Sequence, residues 1–268
     1  MNLAGKVFIV TGASSGIGEQ LSVVLAQKGA QVVCAARRAD ELNRVTGSIQ
    51  AAGGFARAVQ TDITDLDACR HLMKQTIESY GKLDGLVLNA GVSMWARFED
   101  ISDITFFQDL LNVNYLGAVN CCHVALPYLK QTKGKIVSCS TAQALMGFPN
   151  HSGYVASKHA LHGFLATLDM ELRGEISILE AVLSWIRGTN LRDNAFGSDG
   201  KKHAHSARKH TDESVSLEEC VEQIIQAIET DKKTVYIPRK LSMVPLLNTF
   251  FQGFLRRKVS GAIDKNES

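Results

Sequence analysis

The chain has 268 residues, of which 45% are hydrophobic and 21% charged, and a formal net charge of +2. That length admits one large α/β domain with a sizeable core, and the balance is ordinary for a soluble globular protein. The near-neutral charge, without a basic stripe interleaved with aromatics, speaks against a nucleic-acid partner.

In chain order, the opening MNLAGKVFIV runs directly into a predicted strand at 6–10 and leaves no room for a signal peptide, so a cytoplasmic protein is expected. Further apolar runs rich in β-branched residues predict strands at 31–36, 56–63, 83–91, 135–140, 176–184 and 234–238. Helical patterns alternate with them. Ile17, Leu21, Val24 and Leu25 mark one apolar face closed by Gly29; Cys69, Leu72, Met73, Ile77 and Tyr80 mark another closed by Gly81. Continuous apolar strands between helices indicate a parallel sheet covered on both faces. The expectation is α/β: a doubly wound, Rossmann-type sheet of seven strands in a single domain over 1–268. No apolar run reaches the roughly 18–20 residues of a bilayer span. The six cysteines, 34, 69, 121, 122, 139 and 220, show neither CxxC nor zinc spacing and read as reduced core residues.

Doubly wound sheets bind ligands at the carboxyl ends of their strands. The first such loop is TGASSGIG, Thr11 to Gly18. Gly12, Gly16 and Gly18 allow a tight turn, and the helix start at Ser14, Ser15 and Ile17 offers free N–H groups to a diphosphate. Many dinucleotide folds then carry a carboxylate at the end of the second strand, for the ribose hydroxyls. Here the strand ends Ala36-Arg37-Arg38, with no carboxylate before Asp40. A guanidinium pairs with a 2′-phosphate where a carboxylate would repel it, so the expected cofactor is NADP(H).

Five motifs in register now resemble the short-chain dehydrogenase/reductase family across almost the whole chain: TGASSGIG (11–18), Asp62-Ile63, LNAG (88–91), NVNY (112–115) and YVASK (154–158). The resemblance implies that Tyr154 is the acid/base, that Lys158 holds the nicotinamide ribose and lowers the tyrosine pKa, and that Asn114 supports a proton-relay water. It also implies that Asp62, with Ile63, contacts the adenine, and that Asn89, with Ala90 and Gly91, lies by the adenosine ribose. The chemistry stands independently. A free tyrosine titrates near pH 10, and an ammonium one helical turn away stabilises its phenolate.

The family places a serine opposite the tyrosine, on the substrate oxygen. Counting back 13 residues from Tyr154 reaches Thr141, preceded by Ser140. Threonine offers the same hydroxyl with a stiffer χ1, so Thr141 is the expected partner and Ser140 the alternative if the loop slips by one. A second departure follows the sixth strand. Where the family has Pro-Gly, this chain has Ser184-Trp185, with Thr189 still placed to touch a carboxamide or diphosphate. Trp185 reads either as a stack beside the nicotinamide or as core packing.

Residues 190–215 are polar, contain His203, His205 and His210, and read as a substrate lid; no metal is expected. Ser216-Leu217-Glu218-Glu219 reads as a capping box that restarts a helix. The tail at 241–259 is amphipathic, with Leu246, Leu247, Phe250, Phe251, Phe254 and Leu255 ahead of Arg256-Arg257-Lys258. It reads as packing against the body or a sister subunit of a homodimer or homotetramer, or as peripheral contact with an anionic membrane surface. The function expected is an NADP(H)-dependent oxidoreductase acting on a carbonyl or secondary alcohol of a hydrophobic, lipid- or steroid-like small molecule. The alternative is a nucleotide-binding sensor or scaffold of the same fold with weak turnover.

Overall fold

The computed structural model describes residues 1–202 and 214–267. Seven strands form one parallel sheet: β1 (Val7–Thr11), β2 (Gln31–Ala36), β3 (Phe55–Gln60), β4 (Gly85–Leu88), β5 (Lys135–Thr141), β6 (Ser177–Leu183) and β7 (Thr234–Ile237). Their spatial order is β3-β2-β1-β4-β5-β6-β7, so the chain reverses direction across the sheet between β1 and β4. Every neighbouring pair is parallel, as in Val10 opposite Cys34 and Val10 opposite Val87.

Strand alternation sorts side chains onto two faces. Phe8, Val10 and Leu179 join α1 (Gly16–Gln27), α2 (Ala39–Ala51) and α7 (Leu217–Glu229) in one core. Ile9, Ile136 and Ile178 join α3 (Leu66–Tyr80), α5 (Gly117–Thr132) and α6 (Ser152–Leu172) in the other. Gly81 ends α3 in the left-handed region, φ 73°, which glycine adopts at little steric cost. Ser216 caps α7 by accepting from the Glu219 N–H at 3.1 Å, as the capping-box pattern predicts.

β3 and β4 are shorter than their apolar runs. Asp62-Ile63 lies in the loop after β3, and Asn89-Ala90-Gly91 in the loop after β4. A short helix α4 (Phe106–Leu111) runs through a π turn (Asn112–Leu116) into α5. The Pro-Gly departure is built as a small ladder. Arg187 N–H donates to the Val215 carbonyl at 2.9 Å, and Val215 N–H to that of Trp185 at 3.1 Å.

The first half of the expected lid is tied down. Phe196 N–H donates to the Ser93 carbonyl at 2.9 Å and its own carbonyl accepts from Trp95 at 2.8 Å. The three lid histidines lie outside the described residues. α8 (Val244–Phe250) and α9 (Gln252–Glu267) close the chain. Val244 and Leu255 pack on Met146, whereas Leu246, Phe250, Phe251 and Phe254 are exposed. The stripe is thus only partly covered by the protein body. Among the described residues, no helix is long and apolar enough to cross a membrane.

Candidate active site

At the switch point the ends of β1 and β4 are locked together. Thr11 Oγ1 accepts from the N–H groups of Asn89 and Ala90 at 3.0 and 3.2 Å, and the Asn89 amide donates to the carbonyls of Thr11 and Gly12 at 3.0 and 3.3 Å. A Cβ on Gly18 would come within 2.4 Å of both the Gly12 carbonyl and the Asn89 amide, so only glycine fits there.

A cleft of about 410 Å³ opens over this junction. At one end it is lined by Gly12, Ser14, Ser15, Gly16 and Ile17, with Arg37, Arg38, Asp62 and Ile63 beside them. At the other lie Ser140, Thr141, Tyr154, Lys158, Trp185 and Thr189, with Asn89, Ala90 and Gly91 between. Thus every expected cofactor residue except Gly18 lines one cleft; Gly18 sits behind it as packing. The sequence did not single out Thr61, Asn190, Arg192 or Lys202, which also line it. Lone polar residues in loops carry no pattern that would have flagged them.

The residues present fit a dinucleotide. Ser15, the N-cap of α1, makes no side-chain capping bond to the helix, so the first-turn N–H groups are not engaged by it. Its hydroxyl and that of Ser14 instead accept from Arg38 Nη2 at 2.8 and 2.9 Å. This holds one guanidinium against the glycine loop, with Arg37 exposed at the cleft edge. Asp62 is turned locally, its Oδ1 accepting from Thr64.

Tyr154 and Lys158 lie one turn apart on α6, 7% and 6% exposed, with the ammonium 5.8 Å from the ring centroid. Burial pushes the phenol well above its ordinary pKa. It pushes the lysine down, against the charges of Cys139 and Glu180. Desolvation causes the tyrosine's rise, because the phenolate, not the phenol, loses most on leaving water.

Asn114 does not line the cleft. From the π turn its Oδ1 accepts from the Val92 N–H at 2.8 Å, and its Nδ2 donates to the Val92 carbonyl and Ser157 Oγ, both at 2.9 Å. It clamps the loop after β4 to the helix of Tyr154. Thr141 and Ser140 differ in surroundings. Thr141 Oγ1 accepts from the Gln143 N–H at 3.3 Å at the start of the following turn. Ser140, 5% exposed, lines the cleft beside it.

An aromatic wall flanks Tyr154. His151 meets the rings of Tyr154, Trp95 and Phe148 edge-on at 5.9, 4.7 and 5.3 Å, and Phe148 meets Trp185 at 6.3 Å. The Arg192 guanidinium lies 4.5 Å from the Trp185 ring centroid. Trp185 is thus both cleft lining and part of this wall. Among the described residues no three His, Cys, Asp or Glu side chains converge as a metal site.

The model of the short chain dehydrogenase family matches residues 6–198. The 11-beta-hydroxysteroid dehydrogenase 1A of Arabidopsis thaliana is 39% identical over 201 residues, which cover 75% of this chain and 58% of that protein. The 11-beta-hydroxysteroid dehydrogenase-like 2 of the same plant is 34% identical over 247 residues, covering 92% and 78%. The solved alcohol dehydrogenase of the archaeon Thermococcus sibiricus, complexed with 5-hydroxy-NADP, shares the fold at a TM-score of 0.73 and 23% identity, over 86% of this chain and 95% of that one. The chain belongs to the short chain dehydrogenase family.

Proposed function

We propose that the protein is an NADP(H)-dependent oxidoreductase that interconverts a carbonyl and a secondary alcohol on a hydrophobic small molecule. The observation that carries this reading is the burial of Tyr154 and Lys158 together at one end of a cleft whose other end is the glycine loop with Arg37 and Arg38. The nicotinamide, when bound, supplies or accepts the hydride at the carbinol carbon. Tyr154 gives its phenolic proton to the substrate oxygen in reduction and takes it back in oxidation. Lys158 stabilises the phenolate left behind, and Thr141 donates a hydrogen bond to the same oxygen. Arg37 and Arg38 would hold the 2′-phosphate, the first turn of α1 the diphosphate, and Thr189 the carboxamide or the diphosphate.

The apolar cluster of Met94, Phe106, Phe196 and the Tyr154 ring, with the aromatic wall, suits a ring system or acyl chain. The hydroxysteroid dehydrogenase names of the plant relatives point the same way, to a steroid- or lipid-like ketone. The exposed tail fits such a substrate. Between Arg239 and Ile263 there are five cations and no carboxylate, which favours an anionic lipid surface over self-association of two like-charged patches. NADPH consumption against a panel of steroids, long-chain 3-oxo lipids, aldehydes and simple ketones tests the reading. Turnover with none of them, beside tight NADPH binding, would favour the sensor or scaffold.

A further inference from the structure

Strand β6 sends Leu179, Ala181 and Leu183 into the core shared with α1 and α7. Its other face begins with Ile178, packed against α6. The next residue on that face is Glu180, whose side chain is only 15% exposed. An unpaired carboxylate there would be strongly disfavoured. Its Oε2 is partnered by His162, with Nδ1 at 2.7 Å, while Oε1 is buried without a hydrogen-bond partner. Tyr154, Lys158 and His162 stand at successive four-residue steps of α6 and so share one face. Glu180 therefore faces the helix that carries the acid/base pair, with His162 on one oxygen, while Lys158 Nζ donates to the Cys139 carbonyl at 3.4 Å.

The charged and titratable groups around it are few. From α6 come Lys158 and His162; from β5, Ser138 and Ser140 on the same face and Cys139 on the reverse. On the β7 side the Lys233 carbonyl accepts from the Glu180 N–H at 2.9 Å, while the Lys233 ammonium is held by Asp169 at 2.6 Å. Burial raises the Glu180 pKa, but the hydrogen bond from His162 and the charges of His162 and Lys158 outweigh it, and the carboxylate stays ionised. The bond to Glu180 raises His162 against its own burial. Cys139, pushed up to about 12 by burial, is neutral at ordinary pH. That leaves Glu180 as the anion opposing the desolvation of Lys158.

We propose that Glu180, clamped by His162, is a positioning residue that keeps the Lys158 ammonium charged and directed at Tyr154. This rests on the reading of Tyr154 and Lys158 as the acid/base pair. Glu180 is not among the residues that line the cleft and acts through the lysine.

Two readouts separate this role from simple packing. The first is the pH profile of kcat. Without the carboxylate the buried ammonium loses its proton at lower pH, so Glu180→Gln moves the alkaline limb down by about one pH unit, and Glu180→Asp restores most of it. The second is a double-mutant cycle on the NADPH dissociation constant. Glu180→Gln weakens binding about 5-fold when Lys158 is present and less than about 2-fold in Lys158→Met, because coupled residues do not add.

The unloaded protein gives an independent check. His162 titrates above its ordinary value of about 6.5 in the wild type and close to it in Glu180→Gln, read by histidine NMR. The sign follows by linkage. The raised His162 contributes stability fully below that ordinary value and loses it as pH rises through its folded pKa. The lowered Glu180 contributes above its own ordinary value and loses it as pH falls through its folded one. The stability gap between wild type and Glu180→Gln is therefore widest between the two. His162→Gln, at a half-exposed position, moves the kcat limb in the same direction by less and serves if Glu180→Gln fails to fold. An unmoved limb in both variants, or an equal loss of NADPH affinity with and without Lys158, would overturn the proposal. If Tyr154→Phe keeps turnover, it is the acid/base reading that fails, and the binding cycle and the His162 titration still decide the role of Glu180.

Discussion

Asn114 Nδ2 donates to Ser157 Oγ at 2.9 Å, which ties the π turn before α5 to the helix that carries Tyr154 and Lys158. The same amide pairs both backbone groups of Val92. All of this is buried, with Asn114 1% exposed. Asn114→Ala leaves the Val92 N–H and carbonyl without partners, and an unmade buried bond costs about 1–3 kcal/mol. Urea denaturation is therefore expected to show a loss of about 2–4 kcal/mol, together with reduced turnover. Unchanged stability would mean that water or a rearranged loop takes over these bonds.

Two guanidinium groups stand at the adenosine end, and the structure gives them different neighbours. Arg38 is bound to Ser14 and Ser15 of the glycine loop, whereas Arg37 stands free of the loop at the cleft edge. NADPH is expected to bind more tightly than NADH by about 10–150-fold, the scale of one charge-assisted contact of roughly 1.5–3 kcal/mol. Removing both charges in Arg37→Ala/Arg38→Ala should erase most of that preference and leave NADH affinity nearly intact. Calorimetric titration of both cofactors checks it; equal dissociation constants in the wild type would refute NADP(H) preference.

Thr141 and Ser140 make opposite forecasts. Thr141→Val keeps the shape and deletes the donor, and should lower kcat by about 10²–10³-fold, the scale of one lost oxyanion donor. Thr141→Ser should stay active. Ser140→Ala should lower kcat far less, since Thr141 is the residue read as the donor to the substrate oxygen. A dead Ser140→Ala beside an active Thr141→Val would show that the substrate oxygen meets Ser140.

The tail offers Leu246, Phe250, Phe251 and Phe254 exposed beside Arg256, Arg257 and Lys258. The protein is expected to cosediment with vesicles containing phosphatidylserine, less so at high salt, where surface charges are screened. Phe250→Ser/Phe254→Ser should abolish the association without altering the fold. A protein that ignores such vesicles, but whose oligomer mass falls on removal of residues 241–268, would make the stripe a subunit contact instead.

Much of the fold was legible because parallel strands write themselves as apolar runs and helices as faces. Gly81 and Ser216 also marked true helix ends. Strand ends were less legible. LDGLVLNAG reads as one run, yet β4 stops at Leu88 because the Asn89 side chain turns to the backbone of Thr11 and Gly12. The cleft lining followed from motifs in loops. NVNY marked the segment as a motif, but nothing in NVNYL distinguished a π turn from the helices on either side. The Glu180–His162 pair was invisible for another reason. The two residues are 18 apart, on a strand and a helix, and each alone reads as an ordinary polar residue. Glu180 within ISILEAVLS, an acid in an apolar strand, was the available hint. The Ser184-Trp185 turn needed the ladder to Val215, which no local pattern encodes.

The central claim is that Tyr154 moves the proton, and Tyr154→Phe tests it most directly. The substitution removes one hydroxyl from a buried ring and leaves the cleft walls in place. With a substrate found in the panel, NADPH oxidation followed at 340 nm should fall by at least about 10²-fold, the lower range for loss of a positioned acid. NADPH affinity should stay within about 3-fold of wild type, less than the tenfold that 1.4 kcal/mol would represent. Turnover near the wild-type rate in Tyr154→Phe, with the fold and NADPH binding intact, would contradict the account.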